Sequence, residues 1–267
     1  MKRVRLDDEM IAQGLVADRD EALRLCMAGS VSSGGERLTS PAVRIPAGSD
    51  IHVKGSIPYV GRGGFKLAGA LDAFGIDPTG CSCIDIGCST GGFTDCLLQR
   101  GASSVVSVDV GRAQFAWSLR NDERVTLLER TNIVDVPAMG YGASFDLAVC
   151  DVSFTSISHI IDAVVELLAP QGVFCTLVKP QFEAAPEEVG EGGVVRDPAV
   201  RVRVLRSVID LFCERGLLPI DVCASPITGA KGNREFFLYG RKIDGQNLDD
   251  ASLATHVTHL HEKAGTL

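Results

Sequence analysis

Four ionisable side chains stand in apolar or glycine-rich surroundings that do not account for them: Lys66, Asp151, Lys179 and Glu235. Asp151 and Lys179 each end an apolar run that predicts a buried strand, and Glu235 opens another. In such a set the carboxylates orient the ammonium groups, and a second cation or desolvation lets one lysine lose its proton. We therefore expect them to deprotonate a hydroxyl nucleophile, with Lys179 as the general base.

A glycine-rich motif, DIGCSTGGF, occupies residues 85–93 between a predicted strand and a predicted helix. Glycines allow the backbone to turn sharply and to approach a ligand closely. The spacing differs from that of the dinucleotide fingerprint, and no Lys-Ser or Lys-Thr pair follows as it does in a P-loop. The motif therefore predicts a different cofactor loop, whose expected contacts are Asp85, Gly87, Ser89, Thr90, Gly91, Gly92 and Phe93.

Polar residues at the strand ends indicate the ligand of this loop. Asp85 precedes the glycines and suits a cationic amino group. Asp109 ends the next strand and suits the two hydroxyls of a ribose, as an acidic residue does in dinucleotide sites. Asn132 follows the third strand and is placed to face an adenine, and Asp151 is expected near a sulfonium. S-adenosylmethionine carries all of these groups, so the sequence predicts it as the cofactor.

The apolar runs predict the fold that positions these residues. Strands and helices alternate from residue 81 onward, which is typical of an α/β protein with a mostly parallel sheet. In such a sheet the carboxyl ends of the strands line the ligand crevice, so Asp151 and Lys179 should meet there. The predicted strands cover residues 81–86, 104–109, 125–129, 145–150 and 172–178. The predicted helices cover residues 92–100, 156–168 and 198–215. Two further strands, at 217–223 and 235–240, complete the sheet, and one possible arrangement of them is an antiparallel edge pair.

Residues 1–55 read as a separate small α+β module. Two short helices are expected, over residues 8–13, ending before Gly14, and over residues 19–27, with Asp18 as the N-cap of the second. The module carries no net charge, so the whole excess of eight negative charges lies downstream. Phosphate contacts come from local arginine and lysine side chains, and the global charge does not exclude an RNA partner.

The four ionisable residues resemble the Lys-Asp-Lys-Glu tetrad of the FtsJ-like ribose 2′-O-methyltransferases. More narrowly, several segments in order over about residues 3–241 are similar to the TlyA family, whose members carry hemolysin names and act as rRNA cytidine 2′-O-methyltransferases. The resemblance implies a Rossmann-like class I methyltransferase with a seven-stranded, mostly parallel sheet. It also implies ribosomal RNA or ribosomal subunits as the partner. The segments are residues 59–67, 85–99, 150–154, 178–183 and 192–197.

The N-terminal residues resemble the S-four-type (alpha-L) RNA-binding module in residues 5–7, 14–15 and 29–31, although residues 32–36 lack its basic, asparagine-containing turn. The expected organisation is an RNA-binding domain at 1–55, a linker at 56–64, a methyltransferase domain at 65–241 and a polar, loosely packed tail at 242–267. A glycine-rich segment, residues 186–198, is expected to act as a lid over bound RNA. The expected RNA contacts are Arg5, Arg19, Arg24, Arg37, Arg62 and Arg196.

Composition narrows the alternatives. No apolar run is long enough to span a membrane, and no signal peptide is visible, so we expect a cytoplasmic protein without stable membrane association. The nine cysteines contain no C-x-x-C pair, and we expect no metal. A pseudouridine synthase would not need the motif at 85–93, and a base N-methyltransferase would place prolines where this chain has DVSF at 151–154. A membrane-active cytolysin and a non-catalytic RNA-binding or assembly protein remain as alternatives. The sequence gives no oligomeric state.

Overall fold

The computed structural model describes residues 3–13, 15–16, 18–54, 59–112, 114–229, 232–243 and 250–267. The chain divides into two compact units, Met1–Pro58 and Tyr59–Leu267. The linker predicted at 56–64 overlaps the second unit, which begins at Tyr59. Its last residues belong to the second unit, because glycines 61, 63 and 64 pack closely against that unit's cofactor loop. Residues 56–58 of the predicted linker lie outside the described residues.

The first unit is a small α+β fold around a core that includes Leu6, Met10 and Val31. The predicted N-cap is confirmed, since the Asp18 side chain accepts the backbone N–H of Glu21 at 2.8 Å. The first helix begins two residues earlier than predicted, and Gly14 after it is not among the described residues. The elements are β1 (Arg3–Arg5), α1 (Leu6–Ala12), α2 (Arg19–Met27), β2 (Val31–Ser33), β3 (Glu36–Arg37), β4 (Arg44–Pro46) and β5 (Ile51–Val53). Strands β1 and β4 form one antiparallel pair, and β3-β2-β5 form a second small sheet.

The second unit alternates strands and helices as predicted. Its strands are β6 (Ser82–Ile86), β7 (Ser104–Asp109), β8 (Val125–Glu129), β9 (Phe145–Cys150), β10 (Leu168–Val178), β11 (Leu217–Ala224) and β12 (Phe236–Lys242). Its helices are α3 (Gly63–Phe74), α4 (Gly92–Gln99), α5 (Trp117–Arg120), α6 (Ile161–Leu167), α7 (Pro180–Glu183), α8 (Pro198–Glu214) and α9 (Asp250–Ala264). The helix predicted over 156–168 is shorter, because a 3-10 turn, Ile157–His159, precedes α6.

The strands of this unit form one seven-stranded sheet in the order β11-β12-β10-β9-β6-β7-β8. Pairing is parallel from β10 to β8 and antiparallel on both sides of β12. The predicted mostly parallel sheet is confirmed, and its last two strands do pair antiparallel at one edge. The chain runs outward from β6 to β8 and then returns to β9, so the strand order reverses between β6 and β9. Ligands of such sheets bind at this reversal, beyond the carboxyl ends of the strands.

Apolar layers cover both faces of the sheet because side chains alternate along each strand. In β10, for example, Phe174 and Val178 face the layer of α6 and α8, whereas Cys175 and Leu177 face the layer of α3 and α4. Six of the nine cysteines are buried, and all nine are free thiols. Both faces of the parallel strands are therefore closed to solvent, and the carboxyl edge of the sheet is left for chemistry.

The C-terminal segment differs from the prediction of a loose polar tail. Residues 250–264 form α9, which packs on α8 and β11. Leu260 and Ala264 are buried in the same core as α8, and the ring of His256 binds the carbonyl oxygen of Pro219 at 2.8 Å. The few apolar residues of this segment are spaced along one helical face, which is enough to anchor it although its composition is polar.

Candidate active site

The cofactor loop connects β6 to α4. Gly87 and Gly91 adopt left-handed backbone angles, with φ of 81° and 94°. A Cβ at Gly87 would lie 2.9 Å from the carbonyl oxygen of Asp151, so a side chain there would push the loop away from the end of β9. Gly87 must be glycine both for its left-handed conformation and for its close approach to Asp151. Gly91 must be glycine mainly for the turn into α4.

A second glycine-rich turn, residues 61–64, packs directly on this loop. A Cβ at Gly61 would meet the Thr90 hydroxyl oxygen at 2.5 Å, and a Cβ at Gly92 would meet the Gly64 nitrogen at 2.9 Å. Because the two turns pack so closely, α3 begins beside the cofactor loop. Lys66, in the first turn of α3, is thereby carried to the edge of the sheet.

Asp85 is placed behind the cofactor loop and not in a cavity. Its Oδ2 accepts the backbone N–H of Thr94 at 2.9 Å and the Thr94 hydroxyl at 2.6 Å, and that hydroxyl also lies 2.7 Å from the Ser107 hydroxyl. Its Oδ1 is buried without a hydrogen-bond partner among the described residues. Burial raises the pKa of Asp85 to about 7, against the lowering effect of the bonds from Thr94. Asp85 Oδ2 thus fastens the first turn of α4, and contact of Asp85 with a ligand amino group stays a prediction.

A cavity of about 600 Å³ lies at the carboxyl ends of β6, β7 and β8. The Asp109 carboxylate faces it and accepts the backbone N–H groups of Ser89 at 2.8 Å and Gly111 at 2.7 Å. Each carboxylate oxygen can accept a further bond, so two vicinal hydroxyls can still donate to Asp109. Five of the predicted cofactor contacts line this cavity, namely Gly87, Ser89, Asp109, Asn132 and Asp151.

The far end of this cavity has apolar walls and few free charges. Leu127, Ile133 and Ile160 line it. Glu129 also lines it, but its carboxylate is held by Arg120 at 2.5 and 3.1 Å. A flat, neutral heterocycle fits such a slot better than a charged group does. The residues present therefore fit S-adenosylmethionine, with its adenine in the apolar end and its ribose at Asp109. No group of three metal-ligating side chains occurs in the described part of the chain.

A second cavity of about 340 Å³ adjoins the first, and Gly87, Ser89 and Asp151 line both. The four ionisable residues predicted from the sequence all line the second cavity. Lys66 Nζ lies 2.6 Å from Glu235 Oε2 and 4.0 Å from Asp151 Oδ2. Lys179 Nζ lies 2.5 Å from Asp151 Oδ1. The structure thus brings the whole predicted tetrad together, from α3 and from the ends of β9, β10 and β12.

Of the four remaining predicted loop residues, three line the second cavity, the tetrad cavity, and one lines neither cavity. Thr90, Gly92 and Phe93 line the tetrad cavity. Gly91 lines neither cavity, because its backbone packs towards Leu119 and Phe115. The Asn132 side chain caps a 3-10 turn by accepting the N–H of Val134 at 3.4 Å, which leaves its amide nitrogen for a ligand.

Four further residues of the tetrad cavity were not singled out from the sequence: Ser153, Phe154, Gln181 and Phe182. Lys179 Nζ donates to Ser153 Oγ at 2.9 Å, and Gln181 Nε2 lies 3.5 Å from Glu235 Oε1. Phe154 is 91% exposed and packs against Phe182 with ring centroids 5.3 Å apart. The signal available in the sequence was position, since all four lie within three residues of Asp151 or Lys179.

The six surface arginines predicted to contact RNA differ in how far their side chains are already engaged by other groups of the protein. Arg5 and Arg19 form ion pairs with Asp7 and Asp8, and Arg37 donates to the carbonyl oxygen of Gly29. Arg24, Arg62 and Arg196 are exposed. Arg196 lies over its own loop, 3.4 Å from the carbonyl oxygen of Glu191. None of these contacts tests RNA binding, which stays a prediction for all six.

The segment expected to act as a lid, residues 186–198, is better anchored than its composition suggests. Val195 is buried in the core, and its N–H donates to Asn233 Oδ1 at 3.2 Å. Asn233 Nδ2 in turn donates to the Gly193 carbonyl oxygen at 2.9 Å, and Glu188 pairs with Arg203. Asn233, which belongs to none of the predicted sites, therefore fastens this segment to the residues that precede β12.

Comparison with known proteins agrees with this geometry. Residues 59–242 match the family model described as FtsJ-like methyltransferase. The chain is a member of the FtsJ-like methyltransferase family. The match covers the sheet, both cavities and all four tetrad residues, so the predicted fold and enzyme class are confirmed.

Individual relatives of this FtsJ-like methyltransferase extend over both units. It is 41% identical to the 16S/23S rRNA (cytidine-2′-O)-methyltransferase TlyA of Mycobacterium tuberculosis, over 94% of this chain and 96% of that protein. It is 42% identical to YqxC of Bacillus subtilis, a candidate rRNA methyltransferase, over 98% and 95%. The predicted relation to TlyA is confirmed.

Among solved structures, a Streptococcus thermophilus protein described as a candidate hemolysin superposes on this FtsJ-like methyltransferase with a TM-score of 0.68. The two share 38% identity over 98% of this chain and 97% of that one. The hemolysin description belongs to that protein. Within the ranges described here, no helix is both long and apolar enough to cross a membrane.

Proposed function

We propose that the protein transfers the methyl group of S-adenosylmethionine to the 2′-hydroxyl of a cytidine ribose in ribosomal RNA. One observation carries the proposal: two lysines and two carboxylates meet where a cofactor-sized cavity opens into a second, smaller one. The relative named 16S/23S rRNA (cytidine-2′-O)-methyltransferase TlyA, 41% identical over most of the chain, supports the choice of ribosomal RNA and of cytidine.

The larger cavity is proposed to hold the cofactor. Asp109 binds the ribose hydroxyls, Asn132 faces the adenine, and the backbone at Gly87 and Ser89 borders the amino acid part. When bound, S-adenosylmethionine supplies an electrophilic methyl group. Asp151 lines both cavities, so it is the tetrad residue that would border the methyl group of a bound cofactor.

The tetrad is proposed to remove the proton of the ribose hydroxyl. A ribose hydroxyl is a poor nucleophile until it loses that proton, and a neutral amine within hydrogen-bond reach can accept it. Lys179 serves as this base, because it lies between Asp151 and Ser153 on the wall of the smaller cavity. Asp151 orients the amine and stabilises the ammonium group that forms. Lys66, held by Glu235 at 2.6 Å, provides the second cation.

The rim of the smaller cavity suits an unpaired nucleotide. Phe154 presents an aromatic face to solvent at the entrance, and bases stack on exposed aromatic rings whatever their sequence. Its backbone is left-handed, with φ of 64°, a strained conformation for a bulky residue that is held where the ring serves a ligand. The N-terminal unit is proposed to bind RNA through its exposed arginines, Arg24 among them.

The test is methyl transfer from labelled cofactor to separated small subunits, large subunits and protein-free rRNA. We expect incorporation into at least one of these substrates, with the label on a ribose 2′-oxygen of cytidine after digestion to nucleosides. Label found on a base would overturn the ribose assignment. Absence of label on all three substrates, with the cofactor bound, would favour a non-catalytic RNA-binding role.

A further inference from the structure

The surroundings of the Lys179 amine contain one hydroxyl that the tetrad does not include. Lys179 Nζ contacts Asp151 Oδ1 at 2.5 Å and donates to Ser153 Oγ at 2.9 Å. The centroid of the Phe182 ring lies 5.8 Å from the same nitrogen. Asp151 Oδ1 and Ser153 Oγ thus occupy two of the directions around this nitrogen. A third direction must stay open for the substrate.

An amine that acts as a base has three bonded substituents and one lone pair. In Lys179 one substituent is Cε, and one N–H bond of the amine points to Ser153. The second N–H is drawn towards the negative charge of Asp151, which lies 2.5 Å away as an ion-pair partner and not at a hydrogen-bond angle. The lone pair then takes the remaining tetrahedral direction. With only Asp151 as an acceptor, the amine could rotate about its Cε–Nζ bond, and the lone pair would have no fixed direction.

The loop that carries Ser153 is fastened to the segment that follows Lys179. Glu183 in α7 accepts the Ser156 hydroxyl at 2.6 Å and the Ile157 backbone N–H at 2.8 Å. Glu183 is half-buried, and this burial raises the pKa of its carboxyl. Both ends of the Lys179–Ser153 hydrogen bond therefore lie on segments that the Glu183 carboxyl joins together.

We propose that Ser153 is a positioning residue for the proposed methyl transfer, and that its hydroxyl, together with Asp151, directs the lone pair of Lys179 into the tetrad cavity. The proposal rests on the proposed function, because it concerns the base of that reaction. Ser153 lines both cavities, so its hydroxyl stands where cofactor and substrate meet. It acts through Lys179 and exchanges no proton with the substrate.

The test compares Ser153→Ala with Ser158→Ala. Ser158 belongs to the same loop and its hydroxyl lies 2.9 Å from that of Ser156, but no contact joins it to Lys179 among the described residues. We expect Ser153→Ala to lower kcat by about 10- to 100-fold, the effect of one hydrogen bond to a reacting amine. KM for rRNA and affinity for S-adenosylmethionine should stay within about twofold of wild type, since binding is untouched. Ser158→Ala should keep wild-type kcat.

A conservative variant separates positioning from folding. Ser153→Thr restores a hydroxyl at the same atom position and should recover most of kcat, whereas a purely structural defect would show in the melting temperature of Ser153→Ala. If the wild-type protein methylates a ribose and Ser153→Ala matches Ser158→Ala in kcat, this inference is wrong and the proposed function stands. If Ser153→Ala instead raises KM with unchanged kcat, Ser153 contacts the RNA and the positioning role is wrong. If the wild type methylates no ribose, the proposed function itself fails.

Discussion

At the scale of single residues, parts of the site are packed so closely that a larger side chain would collide with a tetrad residue. Gly229 is the clearest case, because a Cβ there would lie 2.0 Å from Glu235 Oε1 and 2.4 Å from its carboxyl carbon. Glu235 is buried and holds Lys66 at 2.6 Å. The absence of a side chain at position 229 is therefore part of the tetrad's construction, although glycine itself does no chemistry.

Gly229→Ala should displace Glu235 and release Lys66 while the sheet stays folded. We expect methyl transfer to fall by about tenfold or more, as when a charge-assisted hydrogen bond is lost near the reacting atoms. The matched control is Gly142→Ala, since a Cβ at Gly142 would meet nothing within 4 Å. Equal activity of the two variants would show that Glu235 tolerates the shift and is not needed in its observed place.

Asp109 is the residue on which the cofactor assignment depends most. Asp109→Ala removes the proposed partner of the ribose hydroxyls and also the acceptor of two loop N–H groups. We expect the binding free energy of S-adenosylmethionine to weaken by roughly 1–3 kcal/mol. Calorimetry measures this, with Asp122→Ala as the control because Asp122 pairs with Arg124 away from the cavity. An unchanged affinity for Asp109→Ala would place the ribose elsewhere.

At the scale of elements, the sequence predicted the strands better than the connections between them. Apolar runs located the sheet because both faces of its parallel strands are buried. The start of β10 was less accurate, because its first residues include Pro170 and Gly172, which indicate a turn in the sequence, and its pairing with β9 shifts register between Leu168 and Val173. The segment that forms α9 was missed because its apolar face is narrow: among its described side chains, Leu260 and Ala264 are buried and Val257 is partly buried against the core. A polar composition hides so narrow an apolar face.

The tetrad was predictable for a related reason, and the burial of Asp85 behind the cofactor loop was not. Parallel strands present their carboxyl ends at one edge, so Asp151 and Lys179 had to meet there. The direction of a side chain near the end of a strand depends on the local twist of the strand. The side chain of Asp85 faces α4. Ser153 follows β9 in an irregular loop, and Gln181 lies in the four-residue α7. Neither segment is long enough for periodicity to indicate the direction of a side chain.

The buried position of Asp85 makes folding stability depend on pH. Its pKa in the folded chain is about 7 against an ordinary value of 3.8, so the folded state keeps a proton that the unfolded chain loses earlier. Its contribution to the free energy of unfolding therefore falls as pH rises from about 4 to about 7, by at most roughly 4 kcal/mol. Asp85→Asn lacks this titration.

Urea unfolding of wild type and Asp85→Asn at pH 5 and pH 8, without cofactor, measures this effect. Relative to wild type, Asp85→Asn should be more stable at pH 8 than at pH 5, because only the wild type carries the buried charge at the higher pH. A stability difference that is the same at both pH values would mean that Asp85 titrates alike in the folded and unfolded chains.

At the scale of the whole molecule, the two units have separate cores and separate sheets. The Tyr59–Leu267 unit contains both cavities, so removal of residues 1–58 should leave cofactor affinity within a few-fold of wild type. Methylation of rRNA should fall about tenfold or more, because the arginines of the first unit no longer contribute phosphate contacts. Full methylation efficiency of the truncated protein, with the cofactor affinity preserved, would make the first unit dispensable for recognition.

The most direct test of the whole account is the fate of the methyl group in Lys179→Ala. Lys242→Ala is the matched control, a lysine of the same sheet whose ammonium binds the Leu168 carbonyl oxygen at 2.8 Å. Nucleosides from treated rRNA are analysed by mass spectrometry for 2′-O-methylcytidine. Wild type and Lys242→Ala should produce it, and Lys179→Ala should produce none while binding S-adenosylmethionine within a few-fold of wild type. Near-normal 2′-O-methylcytidine from Lys179→Ala would contradict the general-base assignment on which the account rests.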